Sequence, residues 1–205
     1  MAEQQQPKTH ILSVDCITDG AGGPCFWIAA VVANKKDAKE EKVYFNGIVY
    51  KRDVRFSDQT TQLYVALYAS ECLKRDESDK RRPIVYETYG DLYNAFWKFY
   101  ERRRAYCDVV HDTLDLAAEL MFFRSIQLNP PERKDNGPCP LLNIDSMVHA
   151  GGKFEGILRD DLIKEKECSL IPKGWVETTY DPMYNALRTL SIYLFLMKSF
   201  PASGK

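Results

Sequence analysis

Asp15 stands in the segment His10–Thr18, HILSVDCIT, among residues that are otherwise mostly apolar. A carboxylate in such a setting is costly unless it is paired, solvated or bound to a metal ion. Two more carboxylates, Asp112 and Asp115, follow the apolar run ending at His111, in His111-Asp112-Thr113-Leu114-Asp115-Leu116. Near the end of the chain, Tyr180–Leu190 reads YDPMYNALRTL. Acidic groups on a first strand, after a later strand and on a last helix could converge on one divalent-metal site, and such sites hydrolyse phosphodiesters. The structural alternative for Asp112 and Asp115 is helix N-capping and compensation of the helix dipole. Other chemistry has little to build on. There is no GxxxxGK[ST] loop, no GxGxxG entering a helix, no HExxH and no GxSxG. The chain has 3 histidines, and His111, at a strand end, reads as structural before it reads as a proton carrier.

The elements that must position these residues follow from periodicity and turn chemistry. His10–Thr18 is rich in β-formers and predicts a first strand. Asp19-Gly20-Ala21-Gly22-Gly23-Pro24 predicts a turn, with Asp19 as a turn residue. Cys25–Ala33, CFWIAAVVA, suits a central strand buried on both faces, and Val43–Tyr50, VYFNGIVY, is a third strand after the charged turn Asn34–Lys42. These three form an antiparallel meander. A helix is expected over Asp58–Lys74, and Arg75–Arg82, RDESDKRR, reads as a solvated loop. Asp91–Ala105 places Leu92, Ala95, Phe96, Phe99 and Tyr100 on one helical face, with Arg102, Arg103 and Arg104 in its last turn. Those arginines suit either a dipole-matched exposed end or a phosphate-contacting patch. Tyr106–His111 is a fourth strand, Thr113–Ile126 a helix, Pro130–Pro140 a loop and Leu141–Gly151 a short ordered segment. Asp181 as N-cap and Pro182 at the first helical position open a long, largely apolar helix over Met183–Ser199. The order predicts one mixed α/β domain over residues 10–199, between a polar leader (1–9) and a short tail (200–205).

At the level of motifs the chain resembles the DEDD-type 3′–5′ exonucleases, in the branch with a histidine in its last motif, which have a ribonuclease H-like fold. The family's first motif is D-x-E-T-x-G on strand one, and the chain has Asp15-Cys16-Ile17-Thr18-Asp19-Gly20. The second supplies an Asp between a strand and a helix, often in H-N-x-x-F-D. Here either Asp112 or Asp115 is the counterpart. The third reads H-x-x-x-x-D-A-x-x-T, against Tyr180-Asp181-Pro182-Met183-Tyr184-Asn185-Ala186-Leu187-Arg188-Thr189. Pro140–Met147, PLLNIDSM, also looks like a family segment, and the resemblance spans roughly residues 10–197. It implies a mixed sheet of about five strands flanked by helices. It also implies a site built from Asp15, Asp112, Asp115, Tyr180 and Asn185, with Asp15, Asp112 and Asp115 as what remains of the metal ligands. The family's mechanism needs four carboxylates around two Mg²⁺ or Mn²⁺ ions and a histidine as general base. Ile17 stands where the family has its Glu, Asn185 where it has an Asp, and Tyr180 where it has its His. An isoleucine cannot ligate a metal, an amide is a weaker ligand for a hard cation, and a tyrosine with a pKa near ~10 is protonated at neutral pH.

The resemblance and its departures together predict an exonuclease-like domain with impaired or lost catalysis that binds single-stranded nucleic acid or a protein partner. If active, it would use Mg²⁺ or Mn²⁺; if degenerate, no cofactor. Two rivals remain open: a working 3′–5′ exonuclease with rearranged or substituted ligands, in which Asp19 or Asp181 takes over, and a scaffold that needs no cleft. Lys98, Arg102, Arg103, Arg104 and Tyr180 are the candidate nucleic-acid contacts, and Tyr180 and Tyr184 either stack on bases or pack at the start of the last helix. Composition agrees with a globular chain: 205 residues, 45% hydrophobic, 28% charged, net charge -1. A charge so near zero means that any nucleic-acid contact must use a local patch. The 6 cysteines contain no CxxC pair, so they read as small buried hydrophobes with reduced thiols inside a cell, not as a zinc site or a disulfide framework. No apolar run approaches the ~18 residues of a membrane span. The sequence leaves the oligomeric state open.

Overall fold

The computed structural model describes residues 8–20, 23–50, 67–112, 122–126, 133, 137, 141–150, 170–173, 175 and 181–199. Six strands form one mixed sheet: β1 (His10–Thr18), β2 (Cys25–Asn34), β3 (Val43–Val49), β4 (Ile84–Tyr86), β5 (Cys107–His111) and β6 (Leu141–Asn143), in the order β4-β3-β2-β1-β5-β6. The β1–β2–β3 meander is antiparallel, as its short connections require. β5 pairs parallel with β1, β6 parallel with β5, and β4 parallel with β3. Three helices complete the named elements: α1 (Tyr89–Glu101), α2 (Ile144–Ala150) and α3 (Pro182–Ser199). Residues 67–73 and 122–126 are also helical. Among the described residues no helix is long and apolar enough to cross a membrane.

Side-chain alternation along the strands sorts the core into two layers. Leu12 and Val14 of β1, Phe26, Ile28 and Ala30 of β2 and Val109 of β5 pack with Leu92, Phe96 and Tyr100 of α1. Ile11 of β1, Ala29, Val31 and Ala33 of β2 and Val110 of β5 pack with Met183, Ala186, Leu187 and Leu190 of α3. β2 is buried over Cys25–Ala33 because both faces are covered, and this explains its unbroken apolar sequence. Gly47 of β3 is where α1 comes closest. A Cβ there would lie 2.7 Å from Leu92 Cδ1 and 2.8 Å from Tyr86 Cε2.

Several expectations are corrected. The sheet has six strands, not about five: β4 is a three-residue edge strand with exposed Ile84 and Val85, too short to show alternation in sequence. The helix expected over Asp91–Ala105 runs over Tyr89–Glu101. It starts earlier because Thr88 is the N-cap, its Oγ1 accepting from the Asp91 N–H at 3.1 Å. It stops earlier because the N–H groups of Arg103 and Arg104 both turn back to the Tyr100 carbonyl, and the chain then bends into β5. Arg102, Arg103 and Arg104 therefore lie beyond the helix, not in its last turn. Arg103 still caps it, with Nη1 donating to the Phe99 carbonyl at 2.8 Å and the guanidinium 3.9 Å from the centre of the Phe99 ring. Leu141–Gly151 resolves into β6 and α2, with Asn143 Oδ1 accepting from the Ser146 N–H at 3.2 Å. Residues 58–66 and 113–121 of the two other expected helices, and most of the Pro130–Pro140 loop, lie outside the described residues.

Candidate functional site

β1 runs beneath α3, and the alternation that points Ile11 at this helix points Ser13 and Asp15 the same way. The register of β1 with β5 pairs Ser13 with Val110. Continuing it by two residues brings Asp112, just past the end of β5, level with Asp15, on a neighbouring chain segment about 4.8 Å away. Val110 faces α3, and Asp112, two residues on, faces it too. Two carboxylates thus lie side by side under one helix.

α3 supplies their partners. Asp181 caps it as expected, Oδ1 accepting from the Met183 N–H at 3.0 Å, while Oδ2 takes Arg75 Nη1 at 3.3 Å. That cap sets the helical phase, so Asn185 and Arg188, one turn apart, share a face. Asn185 Nδ2 donates to Asp15 Oδ2 at 3.3 Å. Arg188 Nη2 forms an ion pair with Asp112 Oδ2 at 3.7 Å, with Arg188 8% and Asp112 7% exposed. From Pro182 to Leu196 every residue is buried except Asn185. Asp15 is likewise only half-buried. The Asp15–Asn185 contact is therefore where solvent reaches the interface between α3 and the sheet.

The structure places Asn185 in contact with Asp15 and pairs Asp112, past the end of the adjacent strand, with Arg188 of the same helix. Asp115 and Tyr180 lie outside the described residues. Ile17, two residues along β1 from Asp15, is half-buried and packs against the apolar core. Asp19 lies in the β1–β2 turn, where Gly20 takes a left-handed φ of 68°. Tyr184 is buried at 8% exposure, and His111 at 3%. The nucleic-acid candidates Lys98, Arg102, Arg103 and Arg104 are not brought to this cluster. They lie on or just after α1, which covers the opposite face of the sheet, and Arg102–Arg104 precede β5, whose first residue, Cys107, is about 16 Å from Asp112 along the strand.

The residue that sequence reasoning missed is Arg188. It stands inside the quoted third-motif segment, and its signal was a lone cation in the apolar run ALRTLSIYLF at helical spacing from Asn185. Its presence decides what the cluster can hold. A divalent cation asks for several oxygen donors and neutralises converging negative charge. Here one Asp15 oxygen already takes an amide N–H, and Asp112 already faces a guanidinium. Among the described residues no three His, Cys, Asp or Glu side chains converge. Within the described residues, then, both carboxylates already have a partner on α3. No family model matches this chain, and no curated protein is significantly similar to it.

Proposed function

We propose that this chain is an exonuclease-like domain of the ribonuclease H-like kind that has exchanged metal-dependent catalysis for binding, its partner being nucleic acid or another protein. The observation that carries this reading is the pairing of Asp112 with Arg188 beside the contact of Asp15 with Asn185. Supporting it, the first-strand acid, the residue after the strand parallel to β1, and the last-helix position meet in the order the motifs require. A buried guanidinium supplies the positive charge that Mg²⁺ or Mn²⁺ would otherwise bring, so on this reading the site works without either ion.

Thermal melting with and without Mn²⁺, alongside cleavage of a 3′-labelled oligonucleotide, tests the proposal. The wild-type protein should show no Mn²⁺-dependent rise in melting temperature and no cleavage. Arg188→Met should melt lower, because it leaves Asp112 buried without its cation, and Mn²⁺ should then recover part of the loss by binding the folded state. Mn²⁺-dependent cleavage by the wild type, abolished by Asp15→Asn, would establish instead an active exonuclease with rearranged ligands.

A further inference from the structure

The end of the sheet away from Asp15 gathers positive charge from three separate stretches of chain. The registers place the start of β1, the end of β2 and the start of β5 side by side: His10 pairs with both Asn34 and Cys107. Lys8 precedes β1, Lys35 and Lys36 follow β2, and Arg102, Arg103 and Arg104 precede β5. Backbone bonds close the corner, from Lys35 N–H to the Thr9 carbonyl and from His10 N–H to the Tyr106 carbonyl, both at 3.0 Å. Asp108 is flanked by both Lys8, at 3.6 Å, and Lys35, so one carboxylate faces two cations. Lys8, Lys35 and Arg103 all act on the buried Cys107 thiol as nearby positive charges. Lys36, Arg102 and Arg104 are exposed. Glu40 and Glu41 sit farther along the β2–β3 turn, while Asp37 directly follows Lys36, Glu101 directly precedes Arg102, and Asp108 pairs with Lys8 and Lys35.

An aromatic platform stands in the same place. Tyr106 is 38% exposed, and its ring meets the His10 imidazole edge-on at 5.1 Å between centroids. An exposed tyrosine ring among cations, beside a half-buried imidazole, fits unpaired bases on a phosphate backbone, because every base has a π-face and each phosphate has a charge.

We propose that this corner, formed by Lys8, Lys35, Lys36, Arg102, Arg104 and Tyr106, is a binding surface for single-stranded nucleic acid. It rests on the reading of the chain as a binding domain, but it is separate from the Asp15–Arg188 cluster. Arg103 is left out because it is spent on capping α1 and stacking on Phe99.

Fluorescence anisotropy of the full chain with labelled single-stranded DNA and RNA oligomers, and with a duplex of the same length, tests it. Binding at low salt should favour single strands and weaken as salt rises, through counterion release. Arg102→Glu with Arg104→Glu should weaken binding at least about tenfold and flatten the salt dependence, by about 0.7 in log–log slope for each phosphate that is no longer neutralised. Tyr106→Ala should weaken binding about tenfold with the salt slope kept, as expected when a stacking ring is removed. Lys74→Glu is the control: this exposed lysine pairs with neighbouring Glu71 at 2.7 Å, and its reversal should change nothing. Melting curves check that each variant is folded. Oligomer binding that survives the double reversal would overturn this surface while leaving a nucleic-acid-binding domain intact. Equal losses from Lys74→Glu, or competition by polyglutamate as strong as by oligomers, would show unspecific charge attraction and sink the proposal. No binding to any oligomer at low salt would also overturn it, leaving the protein partner as the occupant of the proposed binding function.

Discussion

Asp15 and Asp112 sit where a helix and two strands meet, and each has a partner on α3: Asn185 for one, Arg188 for the other. Two hydroxyls in the same interface differ. Ser13 on β1 and Thr189 on α3 are both 0% exposed, and among the described residues the side-chain oxygens of both have no hydrogen-bond partner. An unsatisfied buried hydroxyl costs about 1–3 kcal/mol. Thr189→Val keeps the shape and removes the hydroxyl, and Ser13→Ala removes the other. Each is expected to stabilise the fold by about 1 kcal/mol, a rise of about 2–4 °C in melting temperature for a chain of this size. Calorimetric melting checks this, and a lower melting temperature for Thr189→Val would mean that its hydroxyl is satisfied. At this scale the sequence was informative where a motif fixed spacing. Asp15 and Asn185 are 170 positions apart, yet motif order alone brought them together. Arg188 escaped because a cation within an apolar helix is legible as unusual, whereas its carboxylate partner is fixed only by the register of β5 on β1.

Elements were legible in proportion to their length and to the cleanness of their pattern. β1 matches its expected bounds, and β2 and β3 match within one residue at their C-terminal ends, because β-branched and apolar runs between turn residues leave little choice. The RDESDKRR segment shows the opposite case. A charge run predicts a solvated loop, but this one is built into the fold. Arg75 reaches the cap of α3 at Asp181, the Arg81 guanidinium lies 4.3 Å from the Trp175 ring, and the Arg81 carbonyl accepts from Asn46 Nδ2 at 2.7 Å. Long charged side chains can serve as structural struts, and charge patterning cannot tell a strut from a solvated chain. Within the loop, Arg81 binds both oxygens of Asp79, and the Arg81 guanidinium and backbone N–H hold that carboxyl below the usual carboxylate range. A folded pKa below the unfolded one stabilises above the unfolded value, ~3.9, and the benefit fades as pH falls through the folded value. Asp79→Asn should therefore lower the unfolding free energy from urea titration at neutral pH, by less than about 1 kcal/mol for so accessible a pair, and the gap should close as pH falls through the folded value. A gap that persists in acid would assign the loss to packing instead of charge.

At the scale of the molecule, two apolar layers enclose the sheet, and the cysteines belong to them. Cys16, Cys25, Cys72 and Cys107 are all buried, as small hydrophobes would be, while Cys139 and Cys168 lie outside the described residues. Burial pushes the Cys72 and Cys107 thiols up to about 12. For Cys107 the neighbouring Arg103, Lys8 and Lys35 pull the other way, but desolvation outweighs them. Reaction with iodoacetamide needs the thiolate, so at about pH 8 these two groups are protected twice, by access and by ionisation. Modification must then proceed through opening of the structure. Cys72 lies in the helical residues 67–73, and Cys107 starts β5, paired to β1 next to the edge strand β6, so the openings that expose them need not be the same. Peptide mapping after timed alkylation is expected to show Cys107 modified only at the rate of global unfolding. Cys72 should react sooner, because its segment is tied to the rest of the fold by side-chain contacts, Arg75–Asp181 and Arg81–Trp175, instead of by strand pairing. Arg75→Ala should speed labelling of Cys72 and leave Cys107 unchanged. Equal rates at both cysteines, in wild type and variant alike, would mean that loop and sheet open as one cooperative unit.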